Sequence, residues 1–159
     1  MLIVGTLSWG RSEPTPTKLT KNEQIVQITL WALQAAPLMI GADMSLLDDW
    51  TVDLLTNDDV LDVTMDTLGV AGGPVWKEGR LEVWSRPLHD GTRAVGLFNR
   101  GLKAYEVTAR FSDIGLSGTH PVRDLWRRED LGDYTDRFTV EVPRHGAVMI
   151  KVGRPREPS

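Results

Sequence analysis

A chain of 159 residues, 41% of them hydrophobic, is long enough for one domain or two small ones with an ordinary apolar core. Its formal charge of −4 gives no electrostatic reason to expect a nucleic-acid backbone or an anionic membrane as partner, and favours neutral or cationic ligands. No cysteine is present, which excludes disulfides, thiolate metal sites and cysteine nucleophiles and leaves the compartment open.

Met1, Leu2, Ile3 and Val4 form a continuous apolar run stopped by Gly5, the pattern of a buried strand that begins mid-element. The run is too short and too uncharged for a secretory signal. No apolar run nears the roughly 20 residues of a membrane-spanning helix, so the chain is expected to be soluble. TLSWGRSEPTPTK then reads as a loop, because two prolines so close suit neither a helix nor a central strand. Thr20 stands three residues before Glu23, the spacing of a capping box, and a helix is expected to start there. Ile25, Ile28, Ala32, Ala35 and Ala36 supply one apolar face and Val26, Leu30 and Leu33 a second, leaving a narrow polar strip of Gln24, Gln27 and Gln34. Such a helix needs neighbours on more than one side. Pro37 is expected to end it, after which Leu38, Met39 and Ile40 make a second buried strand closed by Gly41. The two strands would run parallel, joined by a right-handed crossover, and parallel strands apolar on both faces need further strands alongside.

Residues 42–76 hold eight aspartates and no basic residue. Leu47, Trp50, Leu54, Leu55, Val60 and Leu61 recur there at largely helical spacing, so the acids read as the solvated face of one or two short helices. The ordered Asp, Asn and Gly spacing of a calcium loop is missing. Past LGVAGGP the pattern changes to alternation. VWKEGRLEVW, TRAVGLFN, AYEVTARF, RFTVEV and AVMIKV read as antiparallel strands. In the last pair, Phe138, Val140 and Val142 face one way, PRHG makes the turn, and Val148, Ile150 and Val152 return along the same face. Residues 75–153 are thus expected to form an antiparallel β-sandwich, with the boundary near Gly72 and Gly73.

Catalytic signatures are absent: there is no phosphate-cradling loop, no HExxH, and GTLSWG has the wrong spacing for a nucleophile elbow. His89, His120 and His145 sit beside turn residues without metal-ligand spacing, so neither a metal nor a cofactor is expected. Asp43 falls just beyond the end of the second strand, where parallel α/β barrels place their active sites; the alternative is that it caps a turn or the next helix. Trp9, on the loop after the first strand, either stacks on a sugar ring or anchors packing.

In order along the chain, MLIVG, LSWG, LTKNEQIVQITLWALQAAPLMIGADM, LLTNDDVLDVTMDTLG, EVWSRPL, VRDLW and VPRHGAVMIKV resemble the C-terminal portion of the α-galactosidase and α-N-acetylgalactosaminidase (melibiase) family of glycoside hydrolases. The resemblance implies an α/β plus all-β fold. Residues 1–71 would supply the last two βα units of a TIM-type (β/α)8 barrel, and 75–153 the sandwich. The family's retaining mechanism needs two carboxyl groups roughly 5 Å apart, which its members take from earlier barrel strands. The resemblance therefore implies no catalytic residue in this chain. In the family an acid that helps hold the sugar stands next to a methionine at the start of the seventh strand, and Met1 matches that methionine. By that match Met1 joins Trp9 and Asp43 as a substrate-binding candidate. DVTMD departs from the family's usual Asn-Gln-Asp pattern, and Thr67 stands where proline is usual.

Two functions follow as expectations. One is the C-terminal part of a retaining exo-glycosidase acting on terminal α-galactosides, catalytically incomplete by itself. The other is a non-catalytic module whose sandwich binds carbohydrate or pairs with a separate barrel segment. Expected partners are galactose-containing oligosaccharides or glycosides in the intact enzyme and an N-terminal barrel segment or a second copy, with no nucleic acid and no membrane.

Overall fold

The structure, a computed structural model, describes residues 1–8 and 12–157. The two apolar runs at its start lie side by side and parallel, bridged at Leu2 and Ile40. Leu2 donates its N–H to Met39 O at 2.7 Å, and Gly41 donates to Leu2 O at 2.9 Å. Only that bridge forms, and the second run is not a buried strand, since Met39 and Ile40 are exposed. The reason is its lack of a further neighbour: an isolated pair of short parallel segments has nothing to extend its ladder. Beyond Gly5 the chain makes a two-residue ladder between β1 (Thr6–Leu7) and β2 (Thr15–Pro16), inside the segment that composition reads as loop.

Helix α1 (Lys21–Leu33) starts at the expected capping box. Thr20 Oγ1 accepts the Glu23 N–H at 3.2 Å, and Glu23 Oε2 accepts the Thr20 N–H at 2.8 Å. It ends earlier than Pro37 suggests. Ala35 turns left-handed at φ 53°, and the Ala36 N–H returns to Trp31 O at 3.0 Å, which closes the helix end as glycine more often does. Ala35 and Ala36 therefore do not extend the apolar face. Within the glutamine strip Gln34 is exposed, but the other two serve the first run. Gln24 Oε1 and Gln27 Oε1 accept the N–H groups of Gly5 and Ile3 at 3.1 Å each, so α1 satisfies one edge of the first run with side chains.

The aspartate-rich segment folds as α2 (Asp49–Leu55) and α3 (Asp58–Thr64), capped by Asp48 and Asn57 through the N–H groups of Thr51 and Val60. Antiparallel strands follow: β3 (Gly73–Glu78), β4 (Leu81–Pro87), β5 (Arg93–Asn99), β6 (Tyr105–Arg110), β7 (Thr119–Asp124), β8 (Glu129–Thr135), β9 (Arg137–Val142) and β10 (Gly146–Val152). A six-stranded sheet has the order β3-β4-β5-β10-β7-β8, and β6 pairs with β9 in a second sheet. Two of these strands escape the alternation pattern, because β7 carries Pro121 and β8 lies mostly exposed at a sheet edge. The closing pair also differs from the hairpin expected. β9 belongs to the small sheet and β10 to the centre of the large one, so PRHG turns a corner between sheets.

The large sheet is covered on both faces. Val83, Val95, Leu97, Ile150 and Val152 face the small sheet, where Val107, Phe138 and Val142 complete one core. Ala94, Phe98 and Met149, on the opposite face, pack with Leu2, Val4, Ile28, Ala32 and Leu33 in a second core. Among the described residues no helix is long and apolar enough to cross a membrane.

Candidate functional site

The parallel pair carries two of the residues singled out from sequence, Met1 at the start of its first run and Asp43 beyond the end of its second. The Asp43 N–H donates to Thr6 O at 2.7 Å, which ties the loop after Ile40 to β1. The Asp43 carboxylate caps the 3₁₀ turn Met44–Leu46, with Oδ1 accepting the Ser45 N–H at 3.0 Å and the Ser45 hydroxyl at 2.6 Å. Those two bonds, with one from Ser8, hold its carboxyl below the ordinary aspartate range. Asp43 is therefore an ionised cap, still half-exposed, with hydroxyls beside it. Met1 lies over Gly41. A Cβ at Gly41 would stand 2.8 Å from Met1 Cγ and 2.9 Å from Leu2 O, so this crossing admits only glycine. Trp9 lies outside the described residues.

Both runs are apolar on two sides and covered on one. Leu2 and Val4 are fully buried beneath α1, whereas Met1 is 52% exposed, Ile3 37%, Met39 64% and Ile40 40%. The face opposite α1 is thus an uncovered apolar strip with Asp43 at its end. Chemically it offers one carboxylate and neighbouring hydroxyls, which suits holding a polyol. Among the described residues no group of three or more His, Asp or Glu converges to hold a metal.

The residues that fix this end against the sandwich are ones sequence patterns do not flag. Arg86, 1% exposed, donates from Nη1 to Ala32 O at 2.7 Å and Val63 O at 2.6 Å, and from Nε to Val70 O at 2.9 Å. It binds the C-terminal turns of α1 and α3, the negative ends of their dipoles. Its one sequence signal is an arginine in register with Trp84 on β4, the face that α1 covers. Asp66 accepts the His89 N–H at 3.1 Å and faces His89 Nδ1 at 2.6 Å. His145 Nδ1 stands 3.0 Å from Glu23 Oε1. His89 and His145 sit in turns and each meets a carboxylate of the helical segment, whereas His120 lies within β7. Arg123 adds a third link, with Nε 2.8 Å from Asp59 Oδ2.

Residues 78–152 match the family described as alpha galactosidase C-terminal beta sandwich domain. Those residues are similar to the α-galactosidase C-terminal β-sandwich. Alpha-galactosidase 2 of Arabidopsis thaliana is 39% identical over 138 residues, 86% of this chain and 35% of that protein. A GH27 β-L-arabinopyranosidase from Geobacillus stearothermophilus superposes with a TM-score of 0.88 at 30% identity, covering 99% of this chain and 37% of its own. A candidate α-N-acetylgalactosaminidase from Bacillus halodurans gives 0.87 at 27% identity, over 98% of this chain and 38% of its own. The chain spans about a third of the length of the α-galactosidases it matches.

Proposed function

We propose that this chain is the C-terminal part of a retaining α-galactosidase-type exo-glycosidase, supplying the last two βα units of a (β/α)8 barrel in residues 1–71 and the sandwich in 75–153. The observation that carries the reading is the one-sided cover of Met1–Val4 and Leu38–Ile40: apolar on both faces, buried only toward α1. Parallel strands in barrels are packed on both sides, so the bare face fits the remaining strands of such a barrel. In the intact enzyme Met1, Trp9 and Asp43 help hold a terminal α-galactoside, while the nucleophile and the acid/base carboxyl come from strands outside these 159 residues. No cofactor is needed for that chemistry. Without a positioned carboxylate pair nothing attacks the anomeric carbon, and binding alone lowers no chemical barrier.

The test is hydrolysis of an aryl α-galactoside. The chain alone is expected to give no turnover above buffer, and mixing it with a separately produced segment carrying the first six βα units is expected to restore hydrolysis with retention. Turnover by the chain alone, with retained configuration, overturns the proposal.

A further inference from the structure

The small sheet leaves β6 with one free edge, because β6 pairs only with β9. Between that edge and the β3–β4 turn opens a cleft of about 690 Å³. Along β6, Tyr105, Val107 and Ala109 share a face. Val107 and Ala109 fill the core, and Tyr105 lies past its end, 50% exposed. Gly101 lets the backbone pass under the Tyr105 ring, since a Cβ there would stand 3.3 Å from it. Trp76 lines the same cleft while leaning on the sandwich core. Two aromatic side chains thus border one opening.

Its charged lining is unusual in what it does not do. Glu78, Arg80, Lys103, Glu106, Arg110 and Asp113 line the cleft, and among the described residues none of the six side chains has an ion-pair or hydrogen-bond partner. Charges elsewhere are used: Glu82 holds both Lys77 and Arg100, and Arg123 holds both Asp59 and Asp130. Three acids and three bases leave the opening without net charge, which disfavours anions and cations alike. What such a lining recognises is a neutral molecule with a flat C–H face for the aromatic rings and many hydroxyls for the carboxylates and guanidinium groups. That description fits a pyranose, and the volume fits one or two of them. We propose that this cleft of the sandwich is a saccharide-binding site, with Tyr105 as the stacking surface and Glu106 and Arg110 among the hydrogen-bonding groups. None of its lining residues lies in 1–71, so the site does not rest on the barrel reading; only the choice of galactosides as first probes does.

Calorimetry on the full chain tests it, with melibiose and raffinose as galactoside probes and maltose as a glucoside. The expected result is saturable binding with a Kd on the order of 1 mM. It is expected to weaken roughly tenfold in Tyr105→Ala and in Arg110→Ala and to stay within about threefold in Tyr105→Phe. Thermal melts of each variant separate lost binding from lost folding, and Tyr105→Phe keeps the ring if Tyr105→Ala fails to fold. Binding of maltose alone supports the site and removes its galactoside preference. Absence of binding by all three sugars up to about 50 mM overturns it. So does binding that survives both Tyr105→Ala and Arg110→Ala but vanishes in Asp43→Ala, or saturable binding of an extended peptide in place of any sugar. Turnover by the chain alone would defeat the barrel reading and leave this cleft as it stands.

Discussion

Arg86 decides more of this structure than any residue visible in the sequence pattern. A guanidinium 1% exposed is costly to bury, and burial pulls its pKa down while Asp66 opposes that. Three carbonyl oxygens, from Ala32, Val63 and Val70, accept its protons. Arg86→Met keeps much of the stem volume but removes all three of these bonds, and is expected to cost about 3 kcal/mol or more in urea unfolding. A loss under about 1 kcal/mol would mean that water replaces the bonds. EVWSRPL shows only that Arg86 shares a face with Trp84, because the acceptors lie 16 to 54 residues away and are backbone atoms that no residue type encodes. Ala35 poses the opposite case. Its φ of 53° is strained for a residue with a Cβ, so Ala35→Gly is expected to raise stability by about 0.5–1 kcal/mol, read from the melting midpoint.

Among elements, α1 is the one the sequence describes best at its start and least at its end. The capping box is local, three residues in register, and folds as expected; the end is set by contacts with other segments. Gly72 donates its N–H to Leu33 O at 2.7 Å, and a Cβ on Gly72 would stand 2.5 Å from Ser85 O, so the chain leaving α3 presses against the helix terminus. At the other end the corner between β9 and β10 docks on the cap, with Asn22 Nδ2 donating to Arg144 O at 3.2 Å and His145 meeting Glu23. These carboxylates give the element its pH response. The Thr20 N–H and the His145 contact hold Glu23 below its ordinary range. For Asp66 burial pulls upward, yet the bonds from His89 and Leu68 outweigh it. A carboxyl lowered in the folded state stabilises at pH above its unfolded value, roughly 4, and that contribution is lost as the pH falls through the lowered folded value. Asp124 runs the other way, since burial raises it and its contribution is lost as the pH rises through the raised value. Melting midpoints are expected to fall below about pH 4, and Asp66→Asn to flatten that fall. An unchanged slope in the variant would remove Asp66 from the response.

For the whole molecule, the helical segment and the sandwich share the six-stranded sheet as a common wall. Ala94, Phe98 and Met149 face the helices and Val95, Leu97 and Ile150 face β6 and β9 from the same strands. One cooperative unfolding transition is expected, with tryptophan fluorescence and far-ultraviolet circular dichroism coinciding; two separated transitions would show the helices melting off the sheet. What the sequence determined by itself is whatever depends on neighbours in the chain: the capping box at Thr20, the short acidic helices, and the alternation of β4, β5, β6, β9 and β10. It also carries the ordered set of motifs by which the chain is similar to the α-galactosidases. The tertiary structure alone decided that β9 and β10 belong to different sheets, that Gln24 and Gln27 serve the backbone of Gly5 and Ile3, that Arg86 joins two helix ends, and that a cleft with unpaired charges opens beside Tyr105. The physical reason is range: caps, turns and periodicity act over three or four residues, whereas sheet order, buried carbonyl partners and clefts depend on which distant segments meet.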